Sequence, residues 1–212
     1  MNRTYDLTQG NIRRSLILFS LPLIAGNLLQ QMYNVADTMI VGQFLGSVPL
    51  AAVGSAYTLM TLLTSILIGL CMGSGALFSI RFGQKDENGL KEAIFASFVM
   101  IAVITILLNA AAFLCLDGIR LFLRVPADVW PLMREYLAVI FCGIAGTFLY
   151  NYFASLLRAV GNSVVPLIFL AISALLNIGL DLWFVVGLNR GVAGAAEATI
   201  ISQYVSGVGL AA

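Results

Sequence analysis

Val164-Val165-Pro166-Leu167-Ile168-Phe169-Leu170-Ala171-Ile172-Ser173-Ala174-Leu175-Leu176-Asn177-Ile178-Gly179-Leu180-Asp181-Leu182-Trp183-Phe184-Val185-Val186-Gly187-Leu188 is a run of 25 residues with a single charge, Asp181. Coiled as an α-helix it extends roughly 37 Å, enough to cross the hydrocarbon core of a bilayer. Five further apolar runs stand at about 15–41, 50–80, 92–116, 132–157 and 192–212. The chain is 60% hydrophobic and 10% charged, with a mean hydropathy of +0.99. Soluble domains carry about 25% charged residues, so this composition points to lipid as the solvent. The expected fold is all-α, a polytopic membrane protein. A bundle of six transmembrane helices over residues 15–212 follows a short N-terminal segment, 1–14.

The connections between spans are short. Gly42 to Pro49, Arg81 to Gly89, Gly161 to Ser163 and Gly187 to Gly191 read as turns. The longer stretch from Asp117 to Pro131 sets Arg120 and Arg124 among Ile119, Leu121, Phe122 and Leu123, which suits an amphipathic segment at the interface. If the N-terminus is cytoplasmic, Arg3, Arg13, Arg14, Arg81, Lys85, Lys91 and Arg158 lie inside. Arg120, Arg124, Arg134 and Arg190 then lie outside, and seven against four favours that orientation in the cell membrane. The 1–14 segment is accordingly read as cytoplasmic.

Several function classes drop out. A net charge of +1 gives no electrostatic case for nucleic acid. The chain has no histidine, no Walker lysine, and no GxSxG or HExxH motif, so no catalytic constellation is in view and no cofactor is expected. Cys71, Cys115 and Cys142 fall in separate spans and read as packing residues. The first span is too long for a cleaved signal, and its second half carries Asn27, Gln30, Gln31 and Asn34 in place of a cleavage site. The Gly69-Leu70-Cys71-Met72-Gly73-Ser74-Gly75 stretch reads as a tight helix-packing contact.

What remains are acids in apolar surroundings. Asp37 and Asp181 have no lysine or arginine near them in sequence, and a carboxylate in a bilayer costs a few kcal/mol, so such residues mark ion or proton pathways. In the first span Asn27, Gln30/Gln31, Asn34 and Asp37/Thr38 recur at three- and four-residue intervals on one face. Ser173, Asn177 and Asp181 do the same in the fifth. Depth lets these faces meet in one polar pocket, provided the first, fifth and sixth spans are neighbours. Asp37 lies roughly 33 Å along the first span and Asp181 roughly 26 Å along the fifth, while Thr199 is about 12 Å into the returning sixth. All three fall in the same half of the membrane. Two adjacent carboxylates in low dielectric resist ionising together, so the pair should hold a proton or a monovalent cation. Glu197 points away from the sixth-span polar stripe, lies near a helix start, and is the weaker candidate. Pro22 interrupts the first span fifteen residues before Asp37 and is a candidate hinge.

Taken in order, these pieces resemble the multidrug and toxic compound extrusion (MATE) family. The resemblance rests on Pro22 with Gln31-Met32-Tyr33-Asn34-Val35-Ala36-Asp37-Thr38, then Arg81-Phe82-Gly83-Gln84. It continues through Leu157-Arg158-Ala159-Val160-Gly161-Asn162-Ser163 with Pro166, Asn177-Ile178-Gly179-Leu180-Asp181, and Gly191-Val192-Ala193-Gly194-Ala195-Ala196 with Ala198-Thr199. It implies one lobe of a twelve-helix secondary antiporter that exports cationic or amphipathic organic compounds in exchange for H⁺ or Na⁺. It also implies a coupling-ion site at Asp37, Asn177, Asp181 and Thr199, with Tyr136 as the family's fourth-helix tyrosine. Gln31, Asn34, Asn151 and Gln203 join Tyr136 as candidate cavity or substrate residues. On this reading no metal is held beyond Na⁺ at that site, and a second lobe is needed for transport. Alternatives are a lipid-linked oligosaccharide flippase of the same superfamily, or a truncated fragment that does not transport.

Overall fold

The computed structural model describes residues 12–212. Most of the 1–14 segment, with Arg3, lies outside the described residues, and so does its cytoplasmic assignment. Seven α-helices follow: α1 (Ile12–Leu45), α2 (Ser47–Gly83), α3 (Glu87–Leu114), α4 (Leu116–Leu123), α5 (Trp130–Ala159), α6 (Val164–Asp181) and α7 (Gly191–Ala211). A π-helical segment, Leu182–Gly187, extends α6. No strand occurs among the described residues.

All six predicted spans are helices, and α4 is the expected amphipathic piece. α1, α2 and α5 overrun the apolar limits at both ends because hydropathy registers the bilayer core, whereas the backbone must keep its hydrogen bonds satisfied through the interface as well. Five spans, α1, α2, α3, α5 and α6 with its π extension, are long and apolar enough to cross a membrane by composition. The sixth, α7, has the length, at 21 residues, but its composition leaves it outside that set. Its polar groups turn inward: Ser202 and Ser206 are buried. Leu28, Met32, Met72, Phe95, Ile106 and Leu175 stand exposed around the outside, as a bundle solvated by lipid requires.

Two contacts tie the turn ends together. Ser163 Oγ donates to Phe19 O at 3.3 Å, and Ser79 Oγ approaches Ala159 O at 3.4 Å. The start of α1, the α2–α3 turn and the α5–α6 turn therefore share one end, with Arg81, Lys85, Lys91 and Arg158. The opposite end holds Arg120, Arg124, Arg134 and Arg190. Gly46, with φ 94°, is the single residue between α1 and α2, a conformation that favours glycine.

At the α2–α3 turn Asp86 caps α3 by accepting from Gly89 N–H at 2.9 Å and pairs with Arg81 Nη1 at 2.9 Å. Both ion-pair partners are exposed, so the cap is the larger contribution. Asp86→Ala is expected to lower stability by about 1 kcal/mol, read as a lower unfolding midpoint in detergent. An unchanged midpoint would contradict the capping role.

The core runs through α5, which packs on α7 and α2, while α6 packs on α7 and α1. The α5–α7 crossing depends on glycines. A Cβ on Gly146 would stand 3.0 Å from Tyr204 N, and one on Gly207 would stand 2.7 Å from Gly146 O. Within the Gly69–Gly75 stretch the tight contact forms at Gly75, where a Cβ would collide with Ser155, and not at Gly69 or Gly73, where a Cβ meets nothing within 4 Å. α2 reaches α5 through Cys71, Gly75 and Phe78, one face at i, i+4 and i+7, where Ser155 Oγ donates to Cys71 O at 2.7 Å. The packing reading of the cysteines holds for Cys71 alone. Cys115, at the α3–α4 junction, and Cys142 are exposed.

Candidate functional site

The polar stripes of α1, α5, α6 and α7 converge toward the end of the bundle where α6 turns into α7. Asp37 is 9% exposed, and Asn177 and Asp181 are completely buried. The carboxyl groups of Asp37 and Asp181 are within hydrogen-bonding reach of each other. Four residues separate Asn177 from Asp181, which stacks them on one face of α6. The amide is best oriented with Nδ2 donating to Asp181 Oδ2 at 2.9 Å and Oδ1 accepting from Thr199 N–H at 3.2 Å. The opposite orientation leaves only a 3.4 Å approach to Thr199 Oγ1, so we adopt the first.

Neither acid has a basic partner among the described residues. The two ion pairs among the described residues, Arg81–Asp86 and Arg190–Glu197, involve other carboxylates. Asp37 Oδ1 and Asp181 Oδ1 are buried without a hydrogen-bond partner. Lone pairs in that condition are costly unless something positive or protic meets them. Farther along the α6–α7 seam, Ser173 Oγ donates to Ser202 O at 2.9 Å, a second polar rung that fixes the two helices in register.

A cavity of about 380 Å³ opens beside the acids. Gln31, Asn34, Tyr136, Asn151 and Gln203, the candidate cavity residues, all line it, together with Asp37 and Thr199. Asn177 and Asp181 do not; they stand behind Asp37 and Thr199. A second cavity of about 340 Å³, between α1 and α2, shares Asn34, Asp37, Tyr57 and Tyr136 with the first. Asp37 thus stands on the wall of both. Among the described residues, no lysine or arginine lines either one. Pro22 lies inside α1, which continues as helix on both sides of it.

Tyr33 is the residue that sequence reasoning left without a role. It lines the cavity beside Asp37 and Thr199. The signal was available, because Tyr33 stands four residues before Asp37 and so shares its face. Glu197, the weaker acid, stays outside the cavity and pairs with Arg190.

A helical membrane bundle with a buried acid pair behind a polar cavity is the architecture of one lobe of a membrane transporter. The model of the MatE family matches residues 22–183, and the chain belongs to that family. It is 35% identical over 201 residues to a Bacillus subtilis protein named "Probable multidrug resistance protein YpnP", covering 95% of this chain and 45% of that protein. It is 27% identical over 211 residues to "Multidrug export protein MepA" of Staphylococcus saprophyticus, covering 95% and 45%. Among solved structures, a multidrug resistance MATE family transporter of the MOP superfamily, in an outward-facing conformation, superposes with a TM-score of 0.91 at 25% identity. That match covers 100% of this chain and 47% of the other. The chain spans about half the length of the relatives it matches, and the family is one of transporters rather than enzymes.

Proposed function

We propose that this chain is the ion-coupling lobe of a secondary antiporter that exports cationic or amphipathic organic compounds in exchange for H⁺ or Na⁺. One observation carries the reading: Asp37 and Asp181 meet, buried and without a basic partner, at the wall of a cavity lined by amides and hydroxyls. Two carboxyl groups meet in a low-dielectric site only when a proton or cation stands between them. Asn177, Thr199 and Tyr33 supply the amide and hydroxyl oxygens that complete such a site.

Cargo reaches Asp37 from the cavity, whereas Asp181 is screened behind it. A cationic compound and the coupling ion thus compete for the charge of one carboxylate, which is the requirement for exchange. The names of the relatives support export of organic compounds. A cavity without basic side chains favours that cargo over a phosphate-bearing lipid-linked oligosaccharide.

Alternating access needs a second lobe to move against this one. With the N-terminus cytoplasmic, the acid pair lies in the outer half of the membrane, where an incoming ion arrives. The test is reconstitution of the full-length protein in liposomes with a fluorescent organic cation. Efflux should follow an imposed proton or sodium gradient, and a phosphate-bearing lipid-linked oligosaccharide should not be carried. Transport indifferent to both gradients, or equal for the lipid-linked oligosaccharide, would sink the reading.

A further inference from the structure

Glu197 is the α7 acid that takes no part in the site, and its partner is better connected than a surface arginine. Arg190 Nη1 stands 2.6 Å from Glu197 Oε2, with side chains 48% and 26% exposed. The same guanidinium lies 5.9 Å from the centre of the Phe184 ring. The backbone repeats the pattern: Arg190 N–H donates to Phe184 O at 3.0 Å, and Gly194 N–H donates to Arg190 O at 3.4 Å. Arg190 therefore holds two groups on the π segment side and two on the α7 side.

The surroundings are built for this grip. A Cβ on Gly194 would come within 3.0 Å of Arg190 Cβ and 3.1 Å of Phe184 Cβ, so α7 approaches the π segment there as closely as backbones allow. Asn189 and Gly191 flank Arg190 with φ 51° and 61°, reversing the chain within three residues. A cation at the start of α7 opposes the helix dipole, and Glu197, seven residues on and on the same face, offsets it. The anchor points bracket the site: Phe184 follows Asp181 by three residues, and Glu197 precedes Thr199 by two.

We infer that Arg190 is a positioning residue: by joining Phe184 to Glu197 it sets the height at which α7 meets α6, and so holds Thr199 against Asn177 and Asp181. The pair is too exposed to add much stability in itself. Its effect falls on geometry, and the functional side of the inference rests on the ion-exchange reading above.

The experiment uses the full-length protein and two readouts. In Arg190→Ala the coupling-ion concentration giving half-maximal efflux should rise about tenfold, with the maximal rate within about twofold of the parent. The exchange Arg190→Glu with Glu197→Arg keeps the ion pair and the backbone bond to Phe184 O but loses the ring contact, so it should restore it in part. With Cys71, Cys115 and Cys142 replaced, spin labels at exposed Leu175 on α6 and Ile201 on α7 should give a broader distance distribution in Arg190→Ala, narrowed again by the exchange. An unchanged half-maximal concentration with unchanged label distances would overturn the inference, and so would an exchange variant as impaired as either single one. If Arg190→Ala does not fold, Glu197→Gln breaks the side-chain bridge to α7 while leaving the Phe184 contact, and the same two outcomes apply. If the parent protein shows no ion dependence, the exchange function fails, while the label distances still decide what Arg190 does.

Discussion

Asp181→Asn is expected to abolish gradient-driven efflux while leaving the protein folded. The side chain is fully buried, meets Asp37 and accepts from Asn177, so an amide of the same shape fits the space but carries no exchangeable proton or charge. Loss of an outer partner of a bound ion already reduces affinity or activity roughly 10- to 100-fold, and loss of a group that holds the ion directly should cost more. Folding should survive, because removing an uncompensated buried charge in favour of a neutral isostere is neutral or stabilising.

Asp37→Asn should be as damaging to efflux and should differ in one respect. Asp37 lines the cavity and Asp181 does not, so the Asp37 variant should also bind the organic cation more weakly. Efflux in liposomes, cargo binding and unfolding midpoints separate these outcomes. Gradient-driven efflux retained in both variants would remove the acid pair from the mechanism.

The second large effect lies in the packing. Gly207→Val places its Cβ 2.7 Å from Gly146 O, with Leu149 Cβ at 3.0 Å and Tyr150 N at 3.1 Å. Two of those three atoms are backbone of α5 and cannot swing aside, so α7 must move off α5. Overpacking of this kind costs about 1–3 kcal/mol, and the upper end is expected where backbone is the obstacle. Because α5 and α7 also carry Tyr136 and Thr199, separation opens the site as well as the core. Gly73→Ala is the matched control, since its Cβ meets nothing within 4 Å. Yield of monodisperse protein and the unfolding midpoint should fall for Gly207→Val and stay level for Gly73→Ala. Equal behaviour of the two variants would refute the close-contact account.

The convergence of Asp37, Asn177, Asp181 and Thr199 was legible because it needs only helical periodicity and depth. Spacings of four keep residues on one face, and counting crossings puts each face in its half of the membrane. The close contacts were less so. The Gly69–Gly75 stretch promised a close contact without showing that it falls at Gly75, because glycine permits close approach without naming a partner. At Gly146 and Gly207 the partner is set by tertiary packing between helices some sixty residues apart.

The Arg190–Glu197 pair was hidden for another reason. It depends on a chain reversal through Asn189 and Gly191, and the helical wheel that set Glu197 aside contains no loop. Nothing in Leu182-Trp183-Phe184-Val185-Val186-Gly187 distinguishes a π-helical segment from an ordinary apolar helix end.

That segment bears on how such a lobe changes over generations. Inserting or deleting one residue in a membrane helix turns everything beyond it by about 100°, which scrambles the faces it presents. Residues 182–187 lie after both Asn177 and Asp181 and immediately before the reversal into α7. A residue gained or lost there leaves the acid-bearing face of α6 where it was but shifts Phe184, and with it the height at which α7 carries Thr199. Single-residue indels within 182–187 should therefore spare the Asp37–Asp181 pair and retune Thr199 alone, changing ion affinity without loss of the acids.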